Sequence, residues 1–328
     1  MANTNSIKTS YVSKPFIVSG VIFLIVGSVI GAAWMMTLFN VGVPSWFGQL
    51  FQQHRILQID GFLTLLIMGV GYMIVPRFRN VPLPTVKYAY LSFFLVFISL
   101  ISHIVTLLQF SIRGQVFLIM IVITTLRVFG ISIFVAIVFL MLKIKPKRLR
   151  LSDYFIALSV VTLLTMNIIE LARMLDIIYS VDDLSEPRLT IAYTLSHIEL
   201  WLLFPIIMVF GIEYKTLPSF LGFIRPRSTI GLCSFILISS CVITGLLGIL
   251  FDVELPILQL TFNILFFTSV FAFCLSIYAF GGFDNSDIMR LVRGEKKIRY
   301  DLTVLHVKIS FSLLLFGIFV AIPYSITY

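Results

Sequence analysis

Long apolar stretches separated by short polar ones run the length of this chain. They fall near residues 16–39, 55–75, 88–110, 116–142, 154–177, 190–214, 229–250, 257–281 and 303–325. Each reaches the roughly 20 residues that a helix needs to cross the hydrocarbon core of a bilayer. Hydrophobic residues make up 59% of the 328, charged residues only 12%, and the mean hydropathy is +1.06. A soluble domain of this size has too little interior for so much apolar surface, so lipid is its solvent. The pattern predicts an all-α, polytopic transmembrane bundle of about nine helices, a single integral membrane domain over residues 1–328. Residues 1–14 form a short polar tail without a cleavage signature, so the first span is expected to be retained rather than removed as a signal peptide.

Charge placement orients the spans. Lys and Arg cluster before span 1 (Lys8, Lys14) and after span 2 (Arg77, Arg79, Lys87), span 4 (Lys143 to Arg150), span 6 (Lys215, Arg225, Arg227) and span 8 (Arg290 to Arg299). The alternate connections are poor in basic residues, and two of them are acidic. This is the positive-inside distribution for nine spans with a cytoplasmic N-terminus. The net charge of +9 therefore reports topology, and no nucleic-acid partner is expected. The three cysteines, Cys233, Cys241 and Cys274, show neither metal-ligand nor disulfide spacing and read as buried thiols.

Two segments share a pattern. A histidine opens an apolar run that ends in G-x-x-Y-x-x-x-P: His54 with Gly69, Tyr72 and Pro76, then His197 with Gly211, Tyr214 and Pro218. The register differs by one residue, His54 lying 18 before its tyrosine and His197 lying 17 before its own. The tyrosines and prolines read as interfacial anchors and helix stops. At about 1.5 Å per residue, Asp60 sits about 9 Å inward of His54, which lies at the outer end of span 2. His103, Arg127, Glu170, Arg173, His197 and Glu199 also fall at mid-depth or in the outer half, whereas His306 belongs to the inner end. Ionisable groups at such depth normally face a bundle interior and pair with each other or with a ligand. Asp60, Glu170 and Glu199 are expected to form a network with Arg127 and Arg173.

The chemistry best suited to such a layer is a buried cofactor with imidazole ligands, above all haem. His54 and His197 are the expected metal ligands, with His103 a further cofactor contact. Arg127 and Arg173 are expected to neutralise propionates, and Gly61, Gly69 and Gly71 to let a flat macrocycle approach the backbone. The competing reading makes these histidines structural, hydrogen-bonded across helices. No phosphate-binding loop, zinc-protease signature, C-x-x-C-H attachment or G-x-S-x-G elbow is present.

The segment His54-Arg-Ile-Leu-Gln-Ile-Asp-Gly-Phe, continuing through Gly69-Val-Gly-Tyr-Met-Ile-Val-Pro-Arg-Phe, resembles the second helix of the haem–copper oxidase subunit I superfamily and of the related NnrS proteins. Ser196-His-Ile-Glu-Leu-Trp-Leu-Leu-Phe-Pro205 is similar to the superfamily's sixth helix. The resemblance implies four-helix repeats, a haem ligand at His54 and a haem or copper ligand at His197. It further implies a prokaryotic plasma membrane, respiratory electron transfer or a nitric-oxide or oxygen response, and partners among respiratory subunits or small redox proteins. Span 7 lacks the superfamily's histidine pair and no tenth span carries paired haem ligands, so proton-pumping oxidase activity is not expected. An ion- or solute-coupled transporter, or an accessory subunit of a respiratory complex, remains the alternative.

Overall fold

The computed structural model describes residues 3–38, 50–108, 113–144, 149–179, 191–220, 226–251, 256–279 and 298–327. Every regular element among them is helical. The order is α1 (Asn3–Leu38), α2 (Leu50–Arg55), a π-helical segment (Ile56–Leu63), α3 (Thr64–Arg79), α4 (Val86–Leu108) and α5 (Arg113–Lys143). Then follow α6 (Leu151–Tyr179), α7 (Ile191–Phe220), α8 (Ser228–Phe251), α9 (Pro256–Ser276) and α10 (Ile298–Thr327). Among the described residues eight helices are long and apolar enough to cross a membrane, with α2, the π-helical segment and α3 forming one of them. α10 adds a shorter apolar stretch, Leu305–Val320. The polytopic helical bundle expected from the hydropathy pattern is what the chain forms.

The helices gather into two compact units, Met1–Arg148 with Leu163–Arg188, and Leu149–Thr162 with Leu189–Tyr328. In the first, α1 packs along α3 and the π-helical segment, and α4 packs on α5. α1 begins well ahead of the span expected from residue 16 and carries Pro15 inside it. Proline has no N–H for the carbonyl four residues back, a loss of about 3 kcal/mol or more inside a helix. Here that carbonyl belongs to Tyr11, and the hydroxyl of Tyr90 on α4 donates to it at 3.3 Å. α3 ends on Asn80, held left-handed at φ 52°, with bonds from Asn80 N–H to Arg77 (3.3 Å) and from Val81 N–H to Pro76 (3.0 Å). This pair closes the last turn's carbonyls. Arg79 donates from Nη2 to the Leu142 carbonyl at 2.9 Å, setting a cation on the C-terminal turn of α5.

In the second unit α8 packs on α9 through a reciprocal serine pair. Ser234 donates to the Ser269 carbonyl at 2.9 Å, and Ser269 returns the bond to Ser234 at 3.0 Å. Phe210 and Phe273 stack with ring centroids 3.8 Å apart, and Phe155 meets both edge-on. Of the cysteines, Cys241 and Cys274 are buried as expected, whereas Cys233 is exposed.

Candidate functional site

The two motif copies sit in matching surroundings. A Cβ built on Gly69 would lie 3.2 Å from the Ser13 carbonyl oxygen of α1, and one on Gly211 would lie 3.0 Å from the Ser152 carbonyl oxygen of α6. Seven residues further along each partner helix the match recurs. Gly20 crosses the Phe62 carbonyl, where a Cβ would stand 3.3 Å away, and Ser159 donates to the Phe204 carbonyl at 2.6 Å. Phe62 and Phe204 both lie ten residues before their tyrosines. From these phenylalanines to the tyrosines, then, the copies are in register; the one-residue difference lies upstream of them.

The π-helical segment accounts for it. Such turns arise from a single extra residue accommodated in an otherwise α-helical segment. Thr64 shows the wide spacing, its N–H and its hydroxyl both reaching back to Ile59 O, the hydroxyl at 3.3 Å. α7 is α-helical across the corresponding stretch, through Pro205. Two residues before each phenylalanine stand Asp60 and Leu202; Asp60 is 4% exposed and Leu202 is 44% exposed. Counted from the histidines instead, Asp60 matches Leu203, which is also buried, so Asp60 lies at the point where the two registers part.

Asp60 points to Arg127 of α5, with Oδ2 3.1 Å from Nη1. The other terminal nitrogen, Nη2, donates to Glu170 Oε2 of α6 at 2.5 Å. The guanidinium is 1% exposed. A buried charge is tolerated only when paired, and removing one partner of such a pair costs roughly 3–5 kcal/mol. His103 of α4 is also buried, and its charged neighbours include Arg127 and Glu170. The carboxylates that Arg127 meets are thus the protein's own, so the expected network is present in its Asp60–Arg127–Glu170 part. The side chains of Arg173, His197 and Glu199 lie outside the described residues.

His54 is held differently. Its Nδ1 lies 2.8 Å from the Gly27 carbonyl oxygen of α1. A carbonyl only accepts, so Nδ1 carries the proton, and in the neutral ring the lone pair is then on Nε2. The ring can lie there because Gly31 has no side chain: a Cβ on it would come within 2.5 Å of His54 Nδ1. The Gly27-x-x-x-Gly31 pair on α1 is a feature that sequence reading passed over, although its spacing is a known signal for close helix contact in membranes. Gln58, one turn further on, donates to the Leu24 carbonyl (3.2 Å) and to Ser28 (3.0 Å) of the same helix.

Two expectations change. The spaces above Gly61, Gly69 and Gly71 are filled by Phe23, by Phe16 with Ile17, and by Phe134, so these glycines serve helix packing and offer no slot to a macrocycle. Tyr72 is fully buried among other side chains, so it does not serve as an anchor facing the lipid. Its hydroxyl shares a 2.8 Å hydrogen bond with Ser92, and its ring lies between Phe16 and Phe134. Tyr214 is half-buried, against Gly231 of α8. His306 is exposed. Among the described residues no three His, Cys, Asp or Glu side chains are grouped to hold a metal ion. No protein-family model matches the chain, and no curated protein matches it significantly.

Proposed function

We propose that this chain is an integral membrane haem protein in which His54 would hold the haem iron, serving respiratory electron transfer or a response to nitric oxide or oxygen. The observation that carries the reading is the bond from His54 Nδ1 to Gly27 O. Metal-ligating histidines commonly donate their second nitrogen to a carbonyl, which fixes both the tautomer and the ring plane. His54 meets this requirement, and the resemblance of its segment to the oxidase and NnrS helix points the same way. Haem, when bound, supplies a one-electron redox centre and an iron able to take a gas ligand. The chain's part is to hold the imidazole with Nε2 as the donor and to keep the charged cluster around Arg127 internally paired. His197 is proposed as the second haem ligand or a copper ligand, and a small redox protein or respiratory subunit as the partner.

Reduced and oxidised absorption spectra of protein purified from haem-replete cells test this. A Soret band is expected, with most bound haem lost in His54→Ala. If the wild-type protein carries no haem, the reading fails; if His54→Ala keeps its haem, the ligand lies elsewhere.

A second reading is ion- or solute-coupled transport, favoured by the buried Asp60–Arg127–Glu170 array, since intramembrane charges often line transport paths. Solute uptake by proteoliposomes of protein free of any chromophore would favour it.

A further inference from the structure

The crossing face of α1 and α6 occurs a third time, uncovered, on α10. Ser13-x-x-Phe16-x-x-x-Gly20 on α1 matches Ser152-x-x-Phe155-x-x-x-Ser159 on α6, and both match Ser310-x-x-Leu313-x-x-x-Gly317 on α10. Each serine stands beside a basic residue at the inner end of its span: Lys14 follows Ser13, and Arg150 and Lys308 lie two residues ahead of Ser152 and Ser310. On the first two helices the face is occupied. The serine carbonyl meets a glycine, Gly69 or Gly211, and the small residue seven positions on meets the Phe62 or Phe204 carbonyl.

α10 shares one buried stripe with α6 and lacks the other. Asp153 and Val160, which follow the two α6 serines, are buried, and so are Phe311 and Ile318, which follow Ser310 and Gly317. Phe311 rests against Phe273 of α9. The crossing face behaves differently. Ser152, Phe155 and Ser159 are buried, whereas Ser310 is exposed, Leu313 is 64% exposed, and a Cβ on Gly317 would meet nothing within 4 Å among the described residues. Apolar side chains gain little by exchanging lipid for another helix, so small residues on a span matter where a second backbone approaches closely.

The helices that cover α1 and α6 identify what fits. Both carry a phenylalanine seven residues before the glycine, and the pairing of Ser13 with Gly69 and of Gly20 with Phe62 shows that they cross antiparallel. α5 repeats this spacing on an outer face: Phe129 is 60% exposed, and Ala136, seven residues on, is exposed as well. α5 and α10 are the fourth and ninth spans, which run in opposite directions in the orientation that the basic connections set. Ala136 lies seven residues from Lys143, at the inner end where Ser310 also lies. A second copy in the same bilayer therefore offers α5 to α10 at matching depth and in the antiparallel sense.

We infer that α10 docks against α5 of a second copy of this chain, the Ser310 carbonyl meeting Ala136 and Gly317 lying under the Phe129 carbonyl. The contact goes beyond the proposed haem function and does not rest on it.

Full-length protein in liposomes at high lipid dilution tests this, with Cys233→Ser removing the exposed thiol. Copies carrying Ser310→Cys and copies carrying Ala136→Cys, each with its own tag, are reconstituted together and treated with a short thiol cross-linker. A dimer bearing both tags is expected, and neither variant alone should cross-link to itself. Förster transfer between donor-labelled and acceptor-labelled copies should fall several-fold in Gly317→Leu and in Ala136→Leu. In dilute detergent, where copies separate, Gly317→Leu should keep at least the wild-type thermal midpoint, so the loss is one of association and not of fold. Transfer no greater than that of an unrelated monomeric membrane protein at the same dilution overturns the inference. So does transfer unchanged in both leucine variants, which would place the contact elsewhere. Cross-linking of Ser310→Cys in native membranes to a different polypeptide, and not to Ala136→Cys, overturns it as well.

Discussion

The imidazole of His54 rests on α1 only because residue 31 is glycine, and this gives a test that leaves the histidine itself intact. A Cβ at Gly31 would come within 2.5 Å of Nδ1, far inside any contact distance. In Gly31→Ala the ring, as the more mobile partner, swings away and gives up the Gly27 carbonyl. One neutral hydrogen bond is worth about 0.5–1.5 kcal/mol, so the fold should survive. The lone pair on Nε2 then loses its fixed direction. Gly31→Ala is therefore expected to lower the haem-to-protein ratio several-fold with little change in thermal midpoint, measured by pyridine haemochrome and by differential scanning fluorimetry. Haem content equal to wild type would mean that the Gly27 bond does not orient the ligand. At this scale the sequence was legible in type but not in partner. An intramembrane histidine at residue 54 marks itself by its cost, whereas Gly31 gains its meaning only from what packs against it. The glycines at 61, 69 and 71 mislead for the same reason: composition cannot tell a slot kept for a ligand from one filled by Phe23, Phe16 or Phe134.

Among the elements, hydropathy located the spans well because each must be long and apolar to satisfy its backbone in lipid. It could not locate helix interruptions that are repaired by a neighbour. The first span is expected from residue 16, yet α1 begins well ahead of it and passes through Pro15 because Tyr90 supplies the donor that proline lacks. Tyr90→Phe should then lower stability by no more than about 1 kcal/mol, because the bond to the Tyr11 carbonyl is exposed and water can replace the hydroxyl. The loss should shrink in a Pro15→Ala background, where the backbone N–H that alanine restores meets the same carbonyl from within the helix. A double-mutant cycle read by thermal unfolding in detergent checks this; additive effects of the two substitutions would dissociate the tyrosine from the proline. The π-helical turns were likewise invisible to periodicity. Their trace in the sequence was the one-residue difference between the two His-to-Tyr spacings. Asp60 lies within those turns, so the least regular part of the repeat also holds a member of the ionic cluster. Depth counting placed Asp60, Arg127 and Glu170 near one layer, but which of five charged candidates would meet depended on helix rotation.

At the scale of the whole molecule, the two copies of the motif each build a crossing of the same design, a glycine set against a serine carbonyl one helix away. Ser13 and Ser152 lie in different compact units, so the duplication is one of internal architecture and not merely of sequence. If the crossings are equivalent, they should fail equivalently. Gly69→Leu and Gly211→Leu both drive a side chain into a backbone carbonyl that cannot swing aside, at 3.2 and 3.0 Å from the first added carbon. Overpacking of this kind costs typically 1–3 kcal/mol, more than the roughly 1 kcal/mol that replacing glycine in a helix returns. Gly317 on α10 supplies the control, because a Cβ there meets nothing within 4 Å. Gly317→Leu should therefore match or slightly exceed wild type in folded yield and thermal midpoint, while the other two fall well below it by similar margins. Loss in Gly69→Leu with none in Gly211→Leu would show that the second crossing is slack. The histidine of that copy would then lack the fixed frame that a ligand needs, and the case for paired sites would reduce to His54 alone.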